Sequence, residues 1–171
     1  MTPSTYSARE QLRDGRQTEI RALRPTDEAG MLDAINHTNA ESLRRRFFVT
    51  KRAFSDKEKA FFMNADFVKH VALVAESERD GQRAIIGGGR YIVTEPGQAE
   101  IAFIVIDDYR GQGLGTLLMR HLATIASSAG LKELIAEVLP ENAAMRKVFS
   151  KFGFQARRGV DPQVLHLVLT L

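Results

Sequence analysis

The 171-residue sequence contains no cysteine. This absence excludes disulfide bonds, thiolate zinc sites, iron–sulfur clusters and a cysteine nucleophile within the chain. Long apolar runs are missing too: the longest, residues 101–106, is far shorter than the roughly 20 residues that span a bilayer. Residues 1–16 are polar and charged and contain no apolar core of a signal peptide. These absences predict a soluble cytoplasmic protein that does not bind a membrane.

An excess of one charge sign is also lacking. Lys and Arg number 24 against 21 Asp and Glu, and the net charge of +3 is too small to indicate nucleic-acid binding. The four histidines have no metal-ligand spacing with one another or with a carboxylate, so we predict no metal site. The hydrophobic content of 44% and charged content of 26% are ordinary for one globular domain.

Strand and helix patterns alternate along the chain. Residues 1–16 show no periodicity and are expected to form a flexible arm before a single domain over 17–171. Apolar periodicity and turn residues predict strands at 18–23, 70–76, 84–93, 99–106, 131–139 and 163–171. They predict helices at 25–37, 40–48, 115–129 and 142–152, and another after a capping box that starts at Ser55. Three consecutive glycines at 87–89 indicate a β-bulge. This alternation is typical of an α/β domain with a mixed sheet.

The most informative motif is the glycine-rich sequence RGQGLG at 110–115, which follows a predicted strand and precedes a predicted helix. Glycine allows the backbone to approach a ligand closely and to adopt positive φ. The N–H groups at the start of a helix then face the turn and favour an anion. The motif therefore predicts a phosphate-binding turn.

Three kinds of phosphate-binding turn can be compared with this motif. A Walker loop requires Lys before the Ser or Thr, and Gly115 precedes Thr116 here. A dinucleotide-binding motif has the spacing G-x-G-x-x-G, whereas this sequence has G-x-G-x-G. The third is the coenzyme A pyrophosphate loop, and IVIDDYRGQGLG at 104–115 resembles that loop and the strand before it in GNAT-type N-acetyltransferases.

A second motif supports the same resemblance. The sequence NAAMRKVFSKFGF at 142–154 resembles the GNAT helix that flanks the pantetheine arm of coenzyme A. Both motifs occur in the family's order, and the resemblance extends over residues 18–171. It implies a GNAT fold, with a mostly antiparallel mixed sheet of about six or seven strands and about four helices, splayed at the coenzyme A strand.

The resemblance also implies which residues bind acetyl-CoA, the expected co-substrate. The strand edge would pair with the pantetheine amides, the glycine turn would hold the pyrophosphate, and the second helix would flank the arm. The residues carried over are Ile104, Val105, Ile106, Arg110, Gly111, Gln112, Gly113, Leu114, Gly115, Thr116, Asn142, Met145 and Phe149. Arg146 and Lys147 are further candidates for phosphate contact.

Two glutamates are candidates for the general base. An amine must lose its proton before it attacks a thioester, and a carboxylate can accept that proton. Glu100 resembles the base of lysine-acetylating members of the family, and Glu137 resembles the base of members that acetylate N-terminal amines. Because a β-bulge can shift strand parity, the sequence leaves open which of them faces the cleft.

Phe149 departs from the family pattern. Many members carry Tyr at this position, which protonates the leaving thiolate, and Phe cannot donate a proton. Either another group donates the proton or the thiolate leaves unprotonated, which a thiol pKa near 8.5 tolerates.

The segment 39–56 resembles the acetyltransferase domain of bacterial protein lysine acetyltransferases, and its Arg44–Arg46 run is a candidate contact for an acidic patch. The leading hypothesis is acetyl transfer to a lysine side chain, so that the partner is a protein amine acceptor. Two alternatives stay open: acetylation of a small amine, and a coenzyme A-binding regulatory module without turnover.

Overall fold

The structure, a computed structural model, describes residues 2–37 and 56–171. The described helices are α1 (Glu28–Asn36), α2 (Asp56–Met63), α3 (Leu114–Ser128) and α4 (Ala143–Lys151). The described strands are β1 (Ser7–Gln11), β2 (Gln17–Ala22), β3 (His70–Arg79), β4 (Gln82–Glu95), β5 (Gln98–Val105), β6 (Glu133–Val138), β7 (Gln155–Arg157) and β8 (Leu165–Thr170).

These strands form one mixed sheet with the order β1-β2-β3-β4-β5-β6-β8-β7. Neighbouring strands are antiparallel except β5 and β6, which are parallel. The fold class is confirmed, but the sheet has eight strands rather than six or seven. The two unexpected strands lie at the sheet edges: β1 is polar, and β7 has only three residues, all exposed. Neither strand has the apolar alternation by which a strand is predicted.

The parallel pair separates after three rungs. Gln98 is paired with Glu133, Ala99 with Leu134, and Glu100 with Ile135. Beyond these rungs β5 stays paired with β4 as far as Val105, while β6 follows β8 to Val138. A gap therefore opens between β5 and β6, and we call the last rung, Glu100 and Ile135, the fork.

Helices cover both faces of the sheet. On one face α3 buries Leu118, Met119 and Leu122 completely against the strands. On the other face Ile104 of β5 and Phe62 of α2 both pack against Ile35 of α1. Side chains alternate between the two faces along a strand, so that successive residues of β5 point toward the helices on opposite faces of the sheet.

The three glycines of β4 lie beside a β-bulge, as predicted. Ala75 is paired with Gly87, but Glu76 is paired with Ile85, so that one residue of β4 is extra at this point. A Cβ on Gly87 would lie 2.7 Å from the Ile104 carbonyl oxygen. Glycine is therefore required here by close packing against β5 as well as by the bulge.

The prediction of a flexible arm over residues 1–16 is wrong. Ser7–Gln11 form β1, which pairs with β2 along its whole length. The hairpin is held to α3 by Glu10, which lies 2.6 Å from Arg120 and 2.9 Å from His121. Burial alone would raise the pKa of Glu10, but its bonds to Arg120 and His121 outweigh burial and hold that pKa below its usual value. The Tyr6 hydroxyl also bonds to His121, which fixes the start of the hairpin.

Some predictions lie outside the described residues: the helical stretch at 40–48, the arginine run at 44–46 and Ser55 of the capping box. The predicted first helix begins with a 3-10 turn at Pro25–Asp27, and the α-helix starts at Glu28. Over residues 2–37 and 56–171, every helix is too short or too polar to cross a membrane.

Candidate active site

A cleft of about 320 Å³ occupies the gap between β5 and β6. Residues of β5 and β6 form two of its walls, and the first turn of α3 and the length of α4 line it as well. Its lining includes a continuous stretch of β5 and residues of the glycine turn (residues 110–116): Ile101, Ala102, Phe103, Ile104, Val105, Arg110, Gly111, Gly113, Leu114, Gly115 and Thr116. From β6, α4 and the loop between them it includes Glu137, Val138, Asn142, Met145, Lys147 and Phe149.

The glycine turn has the backbone geometry of an anion site. Gly111 and Gly113 have φ values of 76° and 85°, in the left-handed region that favours glycine. Gly113 is the N-cap of α3 and has no side chain to occupy the free N–H groups. The first turn of α3 contains no acidic residue. The helix N-terminus therefore faces the cleft as an uncapped positive end, which suits a phosphate group.

The edge of β5 suits an extended ligand. After Glu100 this edge is paired with no other described strand on the β6 side, although β5 continues for five residues, about 17 Å. A ligand with amide groups can pair with such an edge as an added strand would. The cleft thus joins an edge suited to amides to a turn suited to phosphates, and coenzyme A has both groups in this order.

Two of the predicted cofactor residues do not line this cleft. Ile106 is 1% exposed and lies in the core, because β5 ends at Val105 and Ile106 starts the next turn. Gln112 instead bonds to the hairpin of β1 and β2: its carbonyl accepts from the Arg13 N–H at 3.0 Å and its side-chain oxygen from the Asp14 N–H at 3.1 Å. The other eleven carried-over cofactor residues line the cleft.

The candidate phosphate-binding cations differ in their partners. Arg110 lines the cleft but forms an ion pair with Asp107 at 3.1 Å. Arg146 donates to the carbonyl of Pro140 at 3.0 Å and is not among the lining residues. Lys147, the next residue of α4, does line the cleft.

Helix α4 presents an amide and an aromatic ring to the cleft. Asn142 caps the helix, because its side-chain oxygen accepts from the Met145 N–H at 3.3 Å. The ring of Phe149 is 3% exposed and packs against Phe103 at 6.1 Å and Phe154 at 4.8 Å between centroids. The described residues that line the cleft include one tyrosine, Tyr109. It lies directly before the glycine turn, whereas Phe149 is in α4.

Both candidate bases lie on the same face of the sheet. Glu100 is paired with Ile135, and Glu137 follows Ile135 by two residues, about 7 Å further along β6. Glu100 is half-buried at the fork. Glu137 lines the cleft, its side chain is 36% exposed, and it lies 3.5 Å from Nδ1 of His166.

The face that carries Glu100 also holds a cluster that was not predicted. Ile92 is paired with both Glu100 and His70, which places all three on this face. The Phe61 ring, 51% exposed, stacks on His70 at 5.3 Å. Arg90 bonds to His70 Nε2 and to the Phe62 carbonyl oxygen, each at 2.9 Å, and burial lowers the pKa of Arg90 to about 10. An apolar aliphatic chain that carries an amine can approach the fork along such a surface.

Over residues 2–37 and 56–171, no group of three or more His, Asp or Glu side chains is placed to hold a metal ion. The absence of a metal from the reaction stays a prediction.

A divided parallel strand pair, with a glycine turn suited to phosphate at its open end, fits the coenzyme A-dependent acyltransferase that the two motifs predict. The chain belongs to the acetyltransferase (GNAT) family, whose model matches residues 37–154. It is accordingly an acetyl-CoA-dependent transferase. A solved structure of the same fold, yncA from Salmonella typhimurium, contains its cofactor acetyl-CoA; it has a TM-score of 0.72 and 19% identity, and the similarity covers 90% of this chain and 93% of that one. The resemblance inferred from the two motifs is confirmed.

Three relatives show how far the similarity extends. An acetyltransferase of Pseudomonas aeruginosa is 34% identical over 160 residues, which cover 92% of this chain and 86% of that protein. The acetyltransferase Pat of Mycolicibacterium smegmatis is 30% identical over 84% of this chain, which spans only 43% of Pat. The crystal structure of the GNAT domain of S. lividans PAT has a TM-score of 0.88 and 31% identity, covering 96% of this chain and 97% of that one.

Replacing Phe149 tests whether the site lacks an acid. We expect Phe149→Tyr to change turnover by less than tenfold, because the thiolate can leave unprotonated. A tenfold change corresponds to about 1.4 kcal/mol in the activation free energy. Phe149→Ala should lower the free energy of unfolding by roughly 3–5 kcal/mol through the cavity it leaves. Steady-state kinetics and thermal unfolding measure the two effects. A gain well beyond tenfold in Phe149→Tyr would show that the native site lacks a needed acid.

Proposed function

We propose that this chain transfers the acetyl group of acetyl-CoA to a lysine side chain of a protein, with Glu100 as the general base. The observation that carries the proposal is the position of Glu100 on the last rung between β5 and β6. The two strands separate there, so that a group bound in the cleft and a group approaching from the opposite face can meet beside this carboxylate.

The chemistry assigned to Glu100 follows from the charge of the acceptor. A lysine amine, with a pKa near 10.4, is almost fully protonated at neutral pH and cannot attack a carbonyl carbon. A carboxylate within reach, directly or through one water, accepts the proton and frees the nitrogen lone pair. When bound, acetyl-CoA supplies the acetyl group as a thioester; a carbon–nitrogen bond forms and the carbon–sulfur bond breaks.

Glu137 is the weaker candidate for the base. Its carboxylate is more exposed and faces the imidazole of His166. His166 Nε2 lies 2.8 Å from the Asp161 carbonyl oxygen, so Nε2 carries a proton. His166 of β8 is thus held beside Glu137, its pairing partner on β6, two residues beyond the fork.

The choice of a protein lysine as acceptor is supported by two features. The chain resembles the GNAT domain of S. lividans PAT over nearly its full length. The face that carries Glu100 also exposes Phe61, beside the buried pair of His70 and Arg90. An apolar rim of this kind suits the four methylene groups of a lysine side chain.

The experiment compares acceptors in one assay. Release of the coenzyme A thiol is measured with lysine-containing peptides, with peptides whose only amine is N-terminal, and with small amines. Mass spectrometry locates the acetyl group. Release that requires a lysine side chain supports the proposal; preference for N-terminal or small amines refutes it, and coenzyme A binding without release above background indicates a regulatory module.

We further propose that the chain works as a single catalytic domain in the cytoplasm and uses no metal. Full turnover after dialysis against a chelator would support the last point, and loss of turnover restored by a divalent cation would refute it.

A further inference from the structure

The hairpin between β1 and β2 places an arginine over the glycine turn. The Arg13 side chain lines the cleft, and Nη1 donates to the Gly111 carbonyl oxygen at 3.3 Å. A Cβ built on Gly113 would lie 3.3 Å from Arg13 Nε. The guanidinium therefore covers the segment whose N–H groups favour an anion.

The hairpin is fixed in this position by its own contacts. Two bonds join it to Gln112, from the N–H groups of Arg13 and Asp14. The guanidinium of Arg16 lies 4.0 Å from the centre of the Tyr109 ring, a cation–π contact with the start of the turn. Arg13 is thus held close to the turn before any ligand arrives, which reduces the entropy lost on binding.

The charge at the turn requires a further cation. A diphosphate diester is negative on each phosphate, whereas the N-terminus of α3 supplies about half a positive charge. Arg110 shares its charge with Asp107. Asp14, the acid next to Arg13 in sequence, is paired with Arg16 at 2.6 Å. Within the described residues no carboxylate forms an ion pair with Arg13, and most of its five N–H donors stay available.

We propose that Arg13 is a specificity-determining residue for the co-substrate: its guanidinium binds the diphosphate of coenzyme A across the glycine turn. This inference rests on the proposed function only in that acetyl-CoA is the donor. It adds the β1–β2 hairpin to the cofactor site, and it makes recognition of the diphosphate depend on a side chain about one hundred residues distant in sequence from the turn.

The test compares Arg13→Ala with Arg9→Ala, which removes the same charge from an exposed position of β1 that does not line the cleft. Calorimetric titration with coenzyme A should show a dissociation constant at least about tenfold higher for Arg13→Ala, equivalent to 1.4 kcal/mol. Arg9→Ala should bind like the wild type. Without ligand the two variants should have the same unfolding temperature. Added coenzyme A should raise the unfolding temperature of Arg13→Ala less than that of Arg9→Ala.

Truncated donors identify the phosphate involved. With S-acetylpantetheine, which has no phosphate, KM should be the same for Arg13→Ala and wild type. With 3′-dephospho-acetyl-CoA the tenfold difference should persist, because the diphosphate is retained. Loss of the difference with this donor would assign Arg13 to the 3′-phosphate and overturn the proposal, as would unchanged coenzyme A affinity in a folded Arg13→Ala protein. A wild-type protein that binds coenzyme A but acetylates no lysine would refute the proposed function and leave this inference intact.

Discussion

Replacing Glu100 by Gln should lower turnover by roughly 10²–10⁴-fold, because the amide keeps the shape of the side chain but cannot accept a proton. Binding of coenzyme A, measured by calorimetry, should be unchanged, since Glu100 is not among the residues that line the cleft. The loss should therefore appear in kcat and not in the affinity for the co-substrate.

The pH profile separates a base from a residue with a structural role. As the pH rises toward 10.4, a growing fraction of the lysine acceptor loses its proton without help. The difference between wild type and Glu100→Gln should therefore shrink steadily at high pH. A defect that stays constant with pH would argue that Glu100 only shapes the site.

Glu137→Gln is the matched control, because it makes the same change on the same face of the sheet two residues beyond the fork. Its turnover should stay within tenfold of the wild type. If Glu137→Gln is the crippled variant instead, the order of the two carboxylates is wrong, and the comparison with N-terminal-amine acetyltransferases becomes the better one.

The parts of the site that could be predicted lie in continuous segments of sequence. The glycine turn, the helix that follows it and the Asn142 cap are local structures, whose residues act on one another over a few positions. Such structures depend on backbone conformations and capping groups that particular residue types favour. The strands from 70 to 105 could be predicted for a similar reason, because their apolar runs are long and end at Gly-containing turns.

The parts that could not be predicted depend on pairing between distant segments. β1 was missed because four of its five residues are polar, although Asp14-Gly15 between two short strands is a recognised hairpin pattern that could have indicated it. Its stability comes from β2 and from the bonds of Glu10 and Tyr6 to α3. The place of Arg13 above the turn follows from these contacts, and no local pattern around Arg13 encodes it.

Strand register explains two further outcomes. The sequence left open whether Glu100 or Glu137 faces the cleft. The pairing of Glu100 with Ile135 places both glutamates on the same face of the sheet. Ile106 was predicted as a cofactor contact because the family resemblance carries the pantetheine-pairing edge over to residues 104–106, but the strand ends at Val105 and Ile106 enters the core. A run of apolar residues indicates a strand without marking the residue at which it turns inward.

Replacing Gly113 by Asp should abolish measurable binding of coenzyme A. The residue has φ of 85°, where a side chain costs roughly 1–2 kcal/mol. The new carboxylate would lie at the N-terminus of α3 and would repel the diphosphate that the proposed site binds. It would also stand within reach of Arg13, whose Nε is 3.3 Å from the added Cβ, and would neutralise that cation.

Gly130→Asp provides the control that isolates the ligand site. Gly130 also has φ of 85°, it follows the C-terminal end of α3, and a Cβ there would have no heavy atom within 4 Å. The two variants therefore share the backbone strain and the added charge, and they differ in position relative to the cleft. Thermal unfolding should show the larger loss of stability in Gly130→Asp, because its carboxylate lies at the negative C-terminal end of α3. Calorimetry should show coenzyme A binding in Gly130→Asp alone, so that lost binding in Gly113→Asp cannot be attributed to lost stability. If folded Gly113→Asp bound coenzyme A as well as Gly130→Asp does, the diphosphate could not lie on the glycine turn, and the arrangement of the whole cleft would have to be assigned anew.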